Sequence, residues 1–120
     1  MNPNTERLID RLQAGETVHH RGKGNSMIPI IYSGQKQTLK PVLSLERGMS
    51  LGLKDYDFAH RDQLKIGDAV LCKIKGNVFT HLITAIRGEG DDREFQISNN
   101  HGRVNGWTRQ VYGLCIKVED

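Results

Sequence analysis

Between Asn4 and Ala14, Leu8, Ile9 and Leu12 recur at the spacing of a single helical face, with polar residues filling the positions between them. Asn4 or Thr5 is a suitable N-cap and Gly15 a suitable stop, so the chain is expected to open with a helix. The polar, glycine-punctuated stretch His19-His20-Arg21-Gly22-Lys23-Gly24 then predicts a loop that feeds a turn around Ser26 and Met27. From Ser33 to Gly67, glycines, a proline and charges interrupt every apolar run, and short strands with excursions are expected there. Beyond Gly67 the period falls to two. The segment around Ala69, Leu71 and Lys73 alternates, a β-branched run follows from Val78 to Ile86, and Lys75-Gly76-Asn77 between them predicts a β-hairpin. A second hairpin is expected to turn from Ile83–Gly88 through Glu89-Gly90-Asp91-Asp92 into Arg93–Ser98, and Gln110–Glu119 reads as a closing strand. The pattern predicts a mainly β, antiparallel domain with one N-terminal helix, its sheet assembled largely from sequence neighbours. Residues 1–23 form the helix and lead-in, and residues 24–120 the β domain, in a single domain overall.

Composition narrows this only a little. At 120 residues and 37% apolar content the chain suits one globular domain, and its formal charge of +3 is scattered among acids. Nucleic-acid binding is therefore not expected, since phosphate affinity needs several cations on one face. Cys72 and Cys115 lie in apolar alternating segments without metal-ligand spacing, which reads as two buried, reduced thiols. The polar start MNPNTERLIDRL and the lack of a long apolar run predict a cytoplasmic protein with no membrane segment. No metal or other cofactor is expected. His19 and His20 are adjacent and would point to opposite faces of an extended chain, and Asp91-Asp92 suits a solvated turn.

Two residues carry the candidate chemistry. Ser26 sits between Gly24 and Pro29, in a turn whose backbone N–H groups are free to face outward. A serine becomes a nucleophile when a base reaches its hydroxyl and the oxyanion finds donors. His81 is the best base, on a strand where it shares a face with Phe79 and Ile83. Taken singly, a histidine on an apolar face is more often a satisfied core group, and a serine in a turn more often only a turn. The spacing alone leaves both readings open.

The string Gly24-Asn25-Ser26-Met27-Ile28-Pro29 resembles the G-x-S-M-x-P motif of the LexA-like and signal-peptidase-like serine peptidases. Gly67-Asp68-Ala69-Val70-Leu71 resembles the following strand of that superfamily, and Val78-Phe79-Thr80-His81-Leu82 the strand that bears the base. The segment from Lys65 to Trp107 is also similar to short uncharacterised proteins of phages and prophages. The resemblance implies a LexA C-terminal or signal-peptidase-like β fold and a Ser26–His81 dyad, with a peptide or protein as substrate. It places Asn99 and Asn100, with Met27, among the residues that orient the base or bind substrate. Histidine-type members carry an acid after the base, whereas here the matching place is Ser98-Asn99-Asn100-His101-Gly102; Asp57, Asp62 and Asp68 are the substitutes the sequence offers. The segment from Pro29 to Gly67 is longer than compact members need, which suggests a lid, a specificity surface or edge decoration. LexA-type self-cleavage at Ala14-Gly15, about a dozen residues before Ser26, competes with the simpler reading of Gly15 as a helix cap. A catalytically inactive module that binds a host or phage protein is the alternative function, and a host partner or a homodimer stays open.

Overall fold

A computed structural model describes residues 3–24 and 26–120, so Asn25 of the serine motif lies outside the described residues. The first helix, α1, spans Pro3–Gln13 and buries Leu8, Ile9 and Leu12. It starts earlier than its polar residues suggest, with Pro3 at the first helical position, where a missing N–H costs nothing. Gly15, at φ +90°, ends it and donates to the Leu12 carbonyl.

Among the described residues eight strands follow: β1 (Val18–Arg21), β2 (Lys36–Leu43), β3 (Ala59–His60), β4 (Ala69–Ile74), β5 (Asn77–Arg87), β6 (Glu94–Ser98), β7 (Val104–Thr108) and β8 (Val111–Glu119). They form one sheet in the order β1-β2-β8-β4-β5-β6-β7, with β3 beside β2. The β2–β3 pair is parallel and the other pairs are antiparallel. The expected mainly β fold with its N-terminal helix is what forms. The predicted β4–β5 hairpin turns at Lys75 and Gly76, both at positive φ (50° and 82°), as a tight two-residue turn between right-twisted strands requires.

His19–Arg21, expected as loop, lie in β1, where they pair with Lys36–Thr38 of β2. The last strand, β8, inserts between β2 and β4 and so joins two runs built from sequence neighbours, β1–β2 with β3 beside it and β4–β7. The segment after Pro29 is neither lid nor edge decoration throughout, because β2 lies inside the sheet between β1 and β8. Its pattern was obscured by Gln37 and Thr38, which are polar yet buried, and by the fully buried Pro41. The same segment holds a short second helix, α2 (Leu45–Ser50), whose N-cap Ser44 accepts from the Arg47 amide. A Cβ on Gly48 would clash with the Phe58 ring, so the close approach of α2 to Phe58 requires glycine there.

Alternation along β4 serves both faces. Val70, Cys72 and Ile74 join Ile83, Phe95, Ile97 and Val111 in one core cluster, while Leu71 joins Leu8, Leu12, Val18 and Leu39 in the other, beneath α1. The β4–β7 half curls, so that Thr108 Oγ1 donates to the Lys73 carbonyl (2.7 Å) and Lys73 N to the Gln110 carbonyl (2.9 Å). Cys72 and Cys115 are both free; Cys72 is buried, and burial pushes its thiol up to about 12, while Cys115 is only half-buried. Among the described residues no helix is long and apolar enough to cross a membrane.

Phe95 is fully buried where β6 meets the larger cluster. Phe95→Ala is expected to lower unfolding stability by about 3–5 kcal/mol in urea titration. A loss below about 1 kcal/mol would show that this cluster does not carry the β4–β7 half.

Candidate active site

Ser26 lies in the connection between β1 and β2, within a turn that continues to Ile30. The Met27 carbonyl accepts from the amides of Ile30 and Ile31 (2.8 and 2.9 Å), and the Met27 side chain is buried beneath the turn. Asn100 holds this turn from the β6–β7 loop: its amide donates to the Ser26 carbonyl (2.8 Å) and its side-chain Nδ2 to the Ile28 carbonyl (3.1 Å). Among the described residues the amides of Ser26 and Met27 donate to no carbonyl or side chain.

His81 stands on β5 opposite Val70 of β4, one residue before β6 begins to pair at Leu82. The imidazole is buried, with its ring centroid 4.0 Å from that of Phe79 on the same face. Its Nε2 lies 2.8 Å from Ser26 Oγ, and its Nδ1 lies 2.8 Å from Asn105 Oδ1. An amide oxygen only accepts, so Nδ1 carries the proton. That tautomer leaves Nε2 bare to accept the serine O–H, which is the arrangement a general base needs. Burial pushes the His81 pKa below its ordinary value, and the Asn105 hydrogen bond pulls back more weakly. The ring is therefore neutral at physiological pH and ready to take a proton.

Ser26, Met27 and His81 are brought together. Asn99 and Asn100 are not the groups that orient His81. Asn99 Oδ1 accepts from the amides of His101 and Arg103 (2.9 Å each) and so shapes its own loop, and Asn100 braces the serine turn. The carboxylates considered as substitutes are engaged locally: Asp57 with the Lys54 amide, Asp68 with the Lys65 amide and Asp62 beside His60. Asn105 is the residue that sequence reasoning missed. Ile97 pairs with Gly106 and Ser98 with Val104, which leaves Asn105 as the extra residue of a β-bulge. Gly106, at φ +138°, permits that bulge. In the sequence Asn105-Gly106 looks like a hairpin turn, and the bulge that turns its amide toward His81 leaves no periodic trace.

The dyad opens onto a cleft of about 530 Å³ walled by α1 at Leu8, by His20–Gly24 and by Val78–His81, with Leu71 and Gln37 on its floor. Among the described residues no Asp or Glu lines it. A second cavity of about 560 Å³, lined by Arg47, Arg61, Arg109 and Tyr112 among others, shares no residue with the first. His19, turned out of the cleft, meets Thr38 Oγ1 (3.1 Å), while His20 lines the cleft. Among the described residues no three His, Cys, Asp or Glu side chains cluster as metal ligands. The arrangement is that of a hydroxyl nucleophile with a neutral base.

The chain matches no protein-family model, no curated protein and no solved structure.

Because the His81 ring is neutral in the fold, the folded state binds fewer protons than the unfolded chain as pH falls through about 6.5, and stability declines on that side. Asn105→Asp places a carboxylate on the Nδ1–H and favours the imidazolium, so the His81 midpoint followed by NMR is expected to rise. An unchanged midpoint would mean that Asn105 does not hold the ring in solution.

Proposed function

We propose that this chain is a serine hydrolase of the LexA-like and signal-peptidase-like kind, cleaving a peptide bond with a Ser26–His81 dyad. The 2.8 Å approach of Ser26 Oγ to His81 Nε2, with Nδ1 fixed by Asn105, is the observation that carries this reading. Ser26 Oγ adds to the scissile carbonyl as its proton passes to Nε2, and the amides of Ser26 and Met27 receive the oxyanion. Collapse of the adduct expels the amine, which takes the proton from Nε2 and leaves an acyl ester on Ser26. Water, deprotonated by the same imidazole, then releases the acid. The sequence around Ala14-Gly15 favours cleavage of other chains over this one, because Gly15 is folded as the helix stop, its amide on the Leu12 carbonyl.

One feature favours a second reading, a binding module that retains the peptidase fold. Asn105 orients the imidazole yet brings no negative charge to offset the imidazolium. In that case the cleft binds an extended segment of a host or phage protein without cutting it. The two readings part on the reactivity of Ser26.

Purified protein is expected to react with a fluorophosphonate probe at Ser26, with the labelling rate falling at least about a hundredfold in Ser26→Ala and His81→Ala. The rate should rise with pH through an inflection below about 6.5, where the His81 imidazole loses its proton. Folded wild-type protein that stays unlabelled up to pH ~9 would remove the hydrolase and leave the binding module. Asn105→Asp is expected to raise the rate above the wild-type value at pH 8 by about tenfold or more, as added stabilisation of the imidazolium requires. An Asp variant slower than wild type would argue against imidazolium formation in the rate-limiting step.

A further inference from the structure

The wall of the cleft facing the dyad is built from β1 and β2, and their register sets His20 directly opposite Gln37. Gln37 is buried, and its side-chain Oε1 accepts from Thr80 Oγ1 (2.7 Å), which fixes the amide with its nitrogen turned away from Thr80. That nitrogen faces Gly22. A Cβ on Gly22 would sit 3.3 Å from Gln37 Nε2 and 3.6 Å from His20 Nε2, so both nitrogens converge on a space left by the missing side chain. Two full cations stand at the same wall. The Arg21 guanidinium is tethered to the Gly34 carbonyl through Nη1 (2.7 Å), which leaves further N–H donors of its fork to a ligand, and the exposed Lys23 follows it along the chain.

The cleft gathers the cations Arg21 and Lys23 beside His20, whose pKa burial pushes below its ordinary value, with no Asp or Glu among its described lining residues. A concave, partly dry surface of one sign attracts the opposite charge and repels its own. The donors suit a planar carboxylate, which accepts from several N–H groups at once.

We propose that the cleft selects a peptide carrying an acidic side chain, whose carboxylate sits beside Gly22 on Gln37 and His20 and under the charge of Arg21 and Lys23. This names the substrate class of the hydrolase proposed above and rests on that reading for its consequence, cleavage near Asp or Glu. The recognition itself does not require the reaction, so the test is made on protein that cannot cut.

The probe is a set of hexapeptide pools, acetylated and amidated so that a side chain supplies the sole carboxylate, each tagged with a neutral fluorophore. Each pool fixes one position as Glu, Asp, Gln, Asn or Lys, and anisotropy reads binding to the Ser26→Ala protein. At one position the Glu or Asp pool is expected to bind about tenfold tighter than its amide counterpart, with the Lys pool weakest. Lys23→Glu should bring acidic and amide pools within about twofold of each other, by reversing the charge at an exposed site. Gly22→Ala should do the same by filling the space beside Gln37, with all cations intact. Equal binding of acidic and amide pools at every position, or no binding by any pool, overturns the subsite. An acidic preference that survives both variants overturns its location. Failure of fluorophosphonate labelling would remove the hydrolase and leave the binding result to stand; labelling without an acidic preference would remove the subsite alone.

Discussion

The insertion of β8 between β2 and β4 is the constraint on which the rest of the molecule depends. The β1–β2 half carries His20 and Gln37 and leads into and out of the Ser26 turn, while the β4–β7 half carries His81 and Asn105. Backbone pairing of β8 with Leu39–Pro41 on one side and with Val70–Cys72 on the other fixes the spacing between these halves. Apolar packing supports the same seam: Leu12 and Leu39 press close enough to Gly113 of β8 that a Cβ there would meet them at 3.2 and 3.3 Å. The Ser26–His81 hydrogen bond crosses from one half to the other, so its 2.8 Å length is a property of the whole sheet rather than of two neighbouring residues. Asn100 adds a local fastening by tying the serine turn to the loop beyond β6.

With that geometry fixed, the chemistry turns on one atom of Asn105. An amide oxygen selects the Nδ1–H tautomer as well as a carboxylate does, so the resting dyad is correctly arranged. It differs once the imidazole is charged. Two opposite unit charges about 4 Å apart in an effective dielectric of about 20 attract by about 4 kcal/mol, close to three orders of magnitude in rate. Asn105 forgoes most of that stabilisation. Burial, which already holds His81 neutral, works in the same direction. In the proposed reaction both effects favour a base that is always available and a charged intermediate that is hard to form.

The opening helix and the β4–β5 hairpin were legible because each follows one period, 3.6 or 2, without interruption. Ser26 and His81 were legible as a pair only through the order of three short motifs, since 55 residues separate them and neither position is unusual alone. What stayed hidden has a common physical form. Gln37 and Thr38 are polar side chains taken into the interior because each has a partner there, Thr80 and His19 respectively, so β2 lost its apolar signature. α2 is too short for periodicity and is set by a Ser44 cap and by the space at Gly48. The place of β8 is a matter of long-range pairing, which no local window contains.

The β-bulges account for the remaining gap between sequence and site. Register shifts occur in the β2–β8, β4–β8, β5–β6 and β6–β7 pairs, one in each. Each extra residue bends its strand and breaks the alternation that sequence reasoning follows. The β6–β7 bulge releases Asn105 from the ladder so that its side chain reaches His81, and the β5–β6 bulge releases Thr84, whose hydroxyl meets Ser98 at 2.8 Å beside the pairing that begins just after His81. A regular sheet would alternate these side chains strictly between its two faces. Irregularity at two neighbouring pairs instead gathers the base and its orienting amide on one side, against a serine supplied from the other half of the sheet. His81 stands in regular register, whereas Asn105 joins the site where the β pattern fails, and for that reason it could be found only from its three-dimensional position.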